Sequence, residues 1–208
     1  MDSASIAGLL RPFATLSNEQ LSRTSTYIDL LLKWNAKVNL TAVRRPEEIV
    51  TRHFGESFFA ATQLLAVSRP ETVIDVGSGA GFPGLPLAMF APAAQVTLIE
   101  ANGRKAAFLN EAIAALELKN AKVVSQRAET YPGIANLVTM RAVEKFEKAL
   151  PLALRLVGEG GRIALMIGSS QLATARALAG GVSWNEPLPV PGGHSRVLAV
   201  GTKLVNVG

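Results

Sequence analysis

Cysteine is absent from this chain of 208 residues. No thiolate nucleophile and no Cys-ligated zinc are therefore available. Histidine is nearly as scarce. His53 and His194 are the only two and lie far apart, which leaves no basis for a His-rich metal site. No apolar run reaches 18 residues, so no membrane span is expected. The opening Met1-Asp2-Ser3-Ala4-Ser5 has no basic segment leading an apolar one, and no signal peptide is expected either. With cysteine missing as well, a cytoplasmic location is the expectation.

Charge of one sign is in only mild excess. The net charge is +5. Basic against acidic residues run 8 to 7 over residues 1–72, 8 to 7 over 73–150 and 5 to 2 over 151–208. An anionic partner such as RNA is permitted, not demanded. The chain is 49% hydrophobic, enough for a sizeable core in a single domain.

One stretch organises the rest. Val73 to Val76 is a short β-branched run broken by Asp75, and reads as a buried parallel strand. Gly77, Gly79, Gly81 and Gly84 follow, then Leu85 to Phe90 as a helix that Pro83 would start. Strand, glycine loop and helix N-terminus form the layout of a nucleotide or nucleoside site in an open α/β sheet. Gly79 to Gly84 matches the dinucleotide fingerprint, but its first glycine stands three residues beyond Val76. Asp75, Gly77, Gly79 and Gly81 fill the acid-x-Gly-x-Gly-x-Gly pattern. That pattern resembles the first motif of class I methyltransferases, which bind S-adenosylmethionine. An acid at the strand end suits a cationic cofactor and is poorly placed for a pyrophosphate.

Along the chain, residues 1–16 read as a loose lead-in. Ser17 and Gln20 form a capping box for a helix over about 18–38, with Tyr27 and Trp34 packing against the main body. Pro46 starts a second helix with Ile49, Phe54, Phe58, Ala61 and Leu65 as its apolar stripe. From Thr72 strands and helices alternate. Strands are expected at 95–100, 122–125, 137–140, 162–167, 182–190 and 196–200. Helices are expected at 103–116, 144–157 and 170–179, with Gly158, Gly160 and Gly161 in a turn. This predicts an α/β fold: a doubly wound, Rossmann-like sheet, mostly parallel, with one antiparallel edge strand. Residues 1–68 would form a helical extension and 69–208 the cofactor-binding core of a single domain.

Glu100 ends the second strand, 25 residues after Asp75, where an acid can accept both ribose hydroxyls of an adenosine. Ala128 and Glu129 follow the third strand, where an adenine would lie. Arg141 follows the fourth, where catalytic groups gather in this topology. The Asn/Asp-Pro-Pro-aromatic run of adenine-N6 methyltransferases is replaced here by Thr139-Met140-Arg141-Ala142, which disfavours exocyclic-amine chemistry. Methylation at C5 of a pyrimidine usually needs a cysteine and is disfavoured too. Guanine N7 has a free lone pair and loses no proton on methylation, so alignment and charge stabilisation suffice. Arg44, Arg45 and Arg52 read either as phosphate contacts or as a solvated helix end. Arg196 near the closing strands is a further candidate for RNA. His53 reads as a structural or a catalytic histidine.

The chain resembles the glucose-inhibited-division-B (RsmG) family of bacterial methyltransferases over about residues 20–167. The resemblance rests on Leu32-Lys33-Trp34-Asn35 with Asn39-Leu40-Thr41, on Arg52-His53 with Glu56-Ser57, and on Asp75 to Gly84. Arg104-Lys105 with Phe108-Leu109, Arg127-Ala128-Glu129 and Arg141-Ala142 continue it. It implies methylation of guanine N7 in the 530 loop of 16S rRNA, with Gly77, Phe82, Ala128, Glu129 and Arg141 contacting S-adenosylmethionine. A monomer is expected. Two departures stand out: Glu56 where the family has Asp, and Ile167-Gly168 where it has Lys-Gly. A methyltransferase of a small molecule or protein, and a nicotinamide-dependent oxidoreductase, are the alternatives.

Overall fold

A sheet covered on both faces needs strands apolar on both sides, and the central strands here are. The computed structural model describes residues 1–143, 145–193 and 195–205. Its strands are β1 (Thr72–Val76), β2 (Gln95–Ile99), β3 (Ala121–Val124), β4 (Ala135–Arg141), β5 (Val157–Gly168), β6 (Val182–Trp184), β7 (Leu188–Pro189) and β8 (Arg196–Lys203). They form one sheet in the order β3-β2-β1-β4-β5-β8-β6, with β7 beside β8. β1 to β5 pair in parallel, and β8 runs antiparallel to β5. The expected antiparallel strand is β8, which carries the short β6 and β7 on its outer side. The single strand expected over 182–190 is two fragments, and Pro187 in the break between them has no N–H for the ladder.

The helices are α1 (Ser3–Leu10), α2 (Asn18–Asn35), α3 (Pro46–Ile49), α4 (Glu56–Val67), α5 (Gly84–Phe90), α6 (Gly103–Ala115), α7 (Phe146–Arg155) and α8 (Leu172–Leu178). A π-helical turn, Val50–Gly55, joins α3 to α4. Strand periodicity sorts the side chains between two cores. Val73, Leu98, Leu137 and Ala164 pack with buried residues from α1, α2, the π-helical turn, α4, α5 and α6. Ile74, Val138, Ile163 and Leu165 pack with those from α7 and α8 on the other face. Among the described residues no helix is long and apolar enough to cross a membrane.

Five local expectations are corrected. The lead-in is not loose: Asp2 caps α1, accepting from the Ser5 amide at 2.8 Å, and Ile6 and Leu10 are buried one turn apart. α2 has the predicted capping box but stops at Asn35, whose Oδ1 accepts from the Leu40 and Thr41 amides at 2.9 and 3.0 Å and folds the chain back. Leu64, not Leu65, is the buried end of the second helical stripe. Ile49 and Phe54 are five apart, and the π-helical turn brings both to the core face at the cost of one residue of register. The glycines at 158, 160 and 161 lie inside a 12-residue β5, whose pairing with β4 shifts register there. The expected helix over 144–157 accordingly ends before β5. Its first residue, Glu144, lies outside the described residues, as does His194.

β2 and β4 flank β1, so connections leave the sheet on opposite sides of the β1–β4 boundary. A crevice opens at the carboxyl ends of these strands.

Candidate active site

The glycine loop opens that crevice. Gly77 and Gly79 hold φ of +67° and +56°, in the left-handed region that side chains avoid. A Cβ on Gly77 would stand 3.3 Å from Val143, whereas on Gly79 it would meet only backbone at 3.8 Å. Gly79 therefore faces open space. Below the loop, the Tyr27 hydroxyl of α2 donates to the Ala80 carbonyl. Phe82 is stacked between Tyr27 and His53, with ring centroids 5.3 Å away on each side.

Asp75 is not in the crevice. Its side chain is buried, with Oδ1 accepting from the Thr139 hydroxyl at 2.7 Å and Oδ2 lying against Gly84 at the start of α5. Burial raises its pKa to about 6. On β1 it shares a face with Val73, so strand alternation aims it under the helix rather than at a ligand. Glu100 is in the crevice and already engaged. Its Oε2 accepts from the Gly79 amide at 2.8 Å and its Oε1 from the Asn102 amide at 2.7 Å. It ties the glycine loop to the start of α6, where Asn102 caps the Arg104 and Lys105 amides.

Three cavities line up from here. The first, about 530 Å³, runs from Gly77 and Glu100 to Ala128, Glu129 and Leu152. The second, about 470 Å³, shares Gly77, Glu100 and Val143 with it and adds Thr41, Phe82, Lys105 and Arg141. The third, about 260 Å³, shares His53, Arg141, Ala142 and Val143 with the second and extends to Phe146, Ile167 and Arg196. The loop between β4 and α7 borders all three, with Val143 as the common wall.

The π-helical turn supplies the far side. The Arg141 guanidinium donates to Glu56 Oε2 at 3.2 Å, to His53 Nδ1 at 3.3 Å and to the Arg52 carbonyl. Glu56 Oε1 takes Arg196 at 2.7 Å. Burial raises the Glu56 pKa while Arg141 and Arg196 oppose the rise. The His53 Nε2 lies 2.6 Å from the Thr41 hydroxyl. Because Arg141 only donates, Nδ1 accepts and Nε2 carries the proton. Burial, then the charges of Arg141, Arg52 and Arg196, push the His53 pKa down to about 3, so the ring is neutral.

Over residues 20–187 the chain matches the family described as rRNA small subunit methyltransferase G. It is 38% identical over 202 residues to a "Ribosomal RNA small subunit methyltransferase G" of Chloroflexus aggregans, covering 91% of this chain and 84% of that one. Identity to the protein of the same description from Xanthomonas euvesicatoria is 42%, covering 80% and 78%. The chain belongs to this family. Its fold is also that of magnesium protoporphyrin IX methyltransferase from Synechocystis, solved with bound S-adenosylmethionine. The two superpose with a TM-score of 0.65 at 18% identity, over 91% of this chain and 99% of that one. This is the class I methyltransferase fold.

In this family member the cavities gather most of the residues singled out in the sequence. Gly77, Gly79, Phe82, Glu100 and Arg141 border the second cavity, and Ala128 and Glu129 the first. Arg52, His53 and Arg196 meet around the third. Arg44 and Arg45 do not join them. Both are exposed, Arg44 donating to Asn39 Oδ1 at 3.3 Å and Arg45 lying 3.9 Å from Glu48. Three further residues have roles here that their sequence positions do not announce. Tyr27 read as simple packing, and its hydroxyl is a support of the glycine loop. Thr41 orients His53. Arg155 on α7 donates to the carbonyls of Ala128, Glu129 and Tyr131 at 2.8, 3.0 and 3.3 Å, pinning the turn beside the first cavity. Only the Trp34-Asn35…Asn39-Leu40-Thr41 motif carried a sequence signal, for Thr41.

Proposed function

We propose that this protein methylates guanine N7 in the 530 loop of 16S rRNA, using S-adenosylmethionine. The observation that carries the choice of atom is the state of His53. It is the one imidazole at the junction of the second and third cavities among the described residues, it is neutral, and both its nitrogens are engaged. Glu56 beside it is held by two arginines. Among the described residues no free general base stands where the substrate would meet the cofactor, and N7 needs none.

The crevice fits the cofactor. Gly79 leaves room where any side chain would intrude, and Glu100 keeps lone pairs beyond its two backbone bonds for ribose hydroxyls. Ala128 and Glu129 would meet the adenine, and Lys105 the amino-acid carboxylate. Bound S-adenosylmethionine supplies an electrophilic methyl group on a sulfonium. The chain's part is orientation. Arg141, held by Glu56 and His53, keeps the wall between cofactor and base in one place, and Val143, Phe146 and Ile167 give the third cavity an apolar side for the base. One copy lines all three cavities, so the reading needs only a monomer, and a ribosomal substrate suits a cytoplasmic location.

Mass mapping of 16S rRNA from a deletion strain tests this. One 7-methylguanosine in the 530 loop disappears and returns with the wild-type gene. An unchanged methylation map refutes the substrate, and a thermal shift with NADH but none with S-adenosylhomocysteine refutes the cofactor.

A further inference from the structure

The surface does not close beyond the third cavity. A fourth, about 510 Å³, lies between α1, the π-helical turn and the loop before β8. It shares Arg52, Glu56 and Arg196 with the third. Leu9, Pro12 and Phe13 form one wall, and Pro191 and Gly192 face them. Phe13 is fixed in that wall by Gly55 of the π-helical turn, where a Cβ would stand 2.7 Å from its ring. The sill between the two cavities is cationic. Glu56 spends one oxygen on Arg141 and the other on Arg196, while Arg52 is exposed and makes no ion pair among the described residues. Two spaces, each with an apolar side, separated by arginines have the order base, phosphate, base.

That order is the chemistry of a single strand of RNA: cations track the backbone, and flat apolar side chains take the bases. We infer that the fourth cavity receives the nucleotide adjoining the methylated guanosine. Arg52 and Arg196 meet the phosphate between the two, and the neighbouring base lies against Pro12 and Phe13. The inference rests on the rRNA reading above and extends it to a second subsite built by α1. An acidic peptide fits less well, since the Pro and Phe wall offers a peptide backbone no hydrogen-bonding partner.

Gly8 provides the test. It borders the fourth cavity, is exposed, and a Cβ there meets nothing within 4 Å. It sits inside α1, where any ordinary residue is a better helix former, so substitution keeps the fold. Gly8→Glu and Gly8→Lys place opposite charges at one point. The probe is a fluorescein-labelled single-stranded RNA hexamer with one central guanosine, followed by anisotropy. At low salt Gly8→Glu weakens binding roughly two- to fivefold and Gly8→Lys strengthens it by about the same factor. In methylation of small-subunit rRNA Gly8→Glu raises KM and leaves kcat, and S-adenosylhomocysteine binds both variants as it binds the parent. If the parent methylates rRNA but both variants bind the hexamer as the parent does, this inference alone is overturned. No measurable hexamer binding by the parent overturns it too. A parent that transfers no methyl to small-subunit rRNA removes the reading and the inference together.

Discussion

Tyr27→Phe isolates one hydroxyl. The ring stays, and with it the stacking on Phe82 and the edge contact with Phe54 at 4.9 Å. What is lost is the donor to the Ala80 carbonyl, inside a site where Tyr27 is fully buried and Ala80 is 8% exposed. Burial holds the phenol well above its ordinary pKa, so it is a neutral donor at every working pH. Removing one partner of a buried hydrogen bond leaves the other unsatisfied, at about 1–3 kcal/mol. For a chain of this size that lowers Tm by roughly 2–12 °C. Urea unfolding gives the free energy directly, with an unchanged m-value showing that the unfolded state is the same. The carbonyl belongs to the glycine loop, so S-adenosylhomocysteine affinity falls as well, read by calorimetry. A stability change under about 0.5 kcal/mol, with cofactor affinity unaltered, refutes the reasoning, because it means Ala80 regains a partner without Tyr27.

Glu100→Ala removes two hydrogen bonds to backbone amides as well as any to ribose, so cofactor affinity drops tenfold or more, an effect of roughly 1.5–3 kcal/mol. Unchanged affinity by calorimetry removes Glu100 from the site. Arg44→Ala with Arg45→Ala flattens the salt dependence of RNA binding by up to about two in slope and leaves cofactor affinity alone. Parent-like slopes place the RNA path on Arg52 and Arg196 instead. The His53 pKa is depressed to about 3, so the unfolded chain binds a proton there below about 6.5 that the folded chain refuses until about pH 3. Its contribution is therefore present above pH 6.5 and lost as pH falls toward 3. Asp75, raised to about 6, acts in the opposite direction, its contribution being lost as pH rises from about 4 to 6. His53→Gln flattens the acid limb of stability measured by urea unfolding across pH 3–7, and an identical slope argues against a buried neutral imidazole.

Sequence alone determined what depends on near neighbours. The β-branched run ending in Val76 makes a strand by its own sterics, and the following glycines bend where only glycine bends. Ser17 and Gln20 cap α2 within one turn. Strand and helix alternate in the order that forces a crevice beside β1, so the place of the site was legible. Tertiary structure decided what each side chain does there. Asp75 belongs to the glycine motif yet is turned beneath α5 by strand alternation, and Glu100 is tied to Gly79 across 21 residues. Arg141 meets Glu56 across 85 residues, and that meeting depends on a π-helical turn whose one extra residue no helical periodicity announces. Local sterics act between residues a few bonds apart and can be read in order. The pairing of a buried charge depends on which distant chain segment lies within about 3 Å once two cores have packed, and only the folded chain sets that distance.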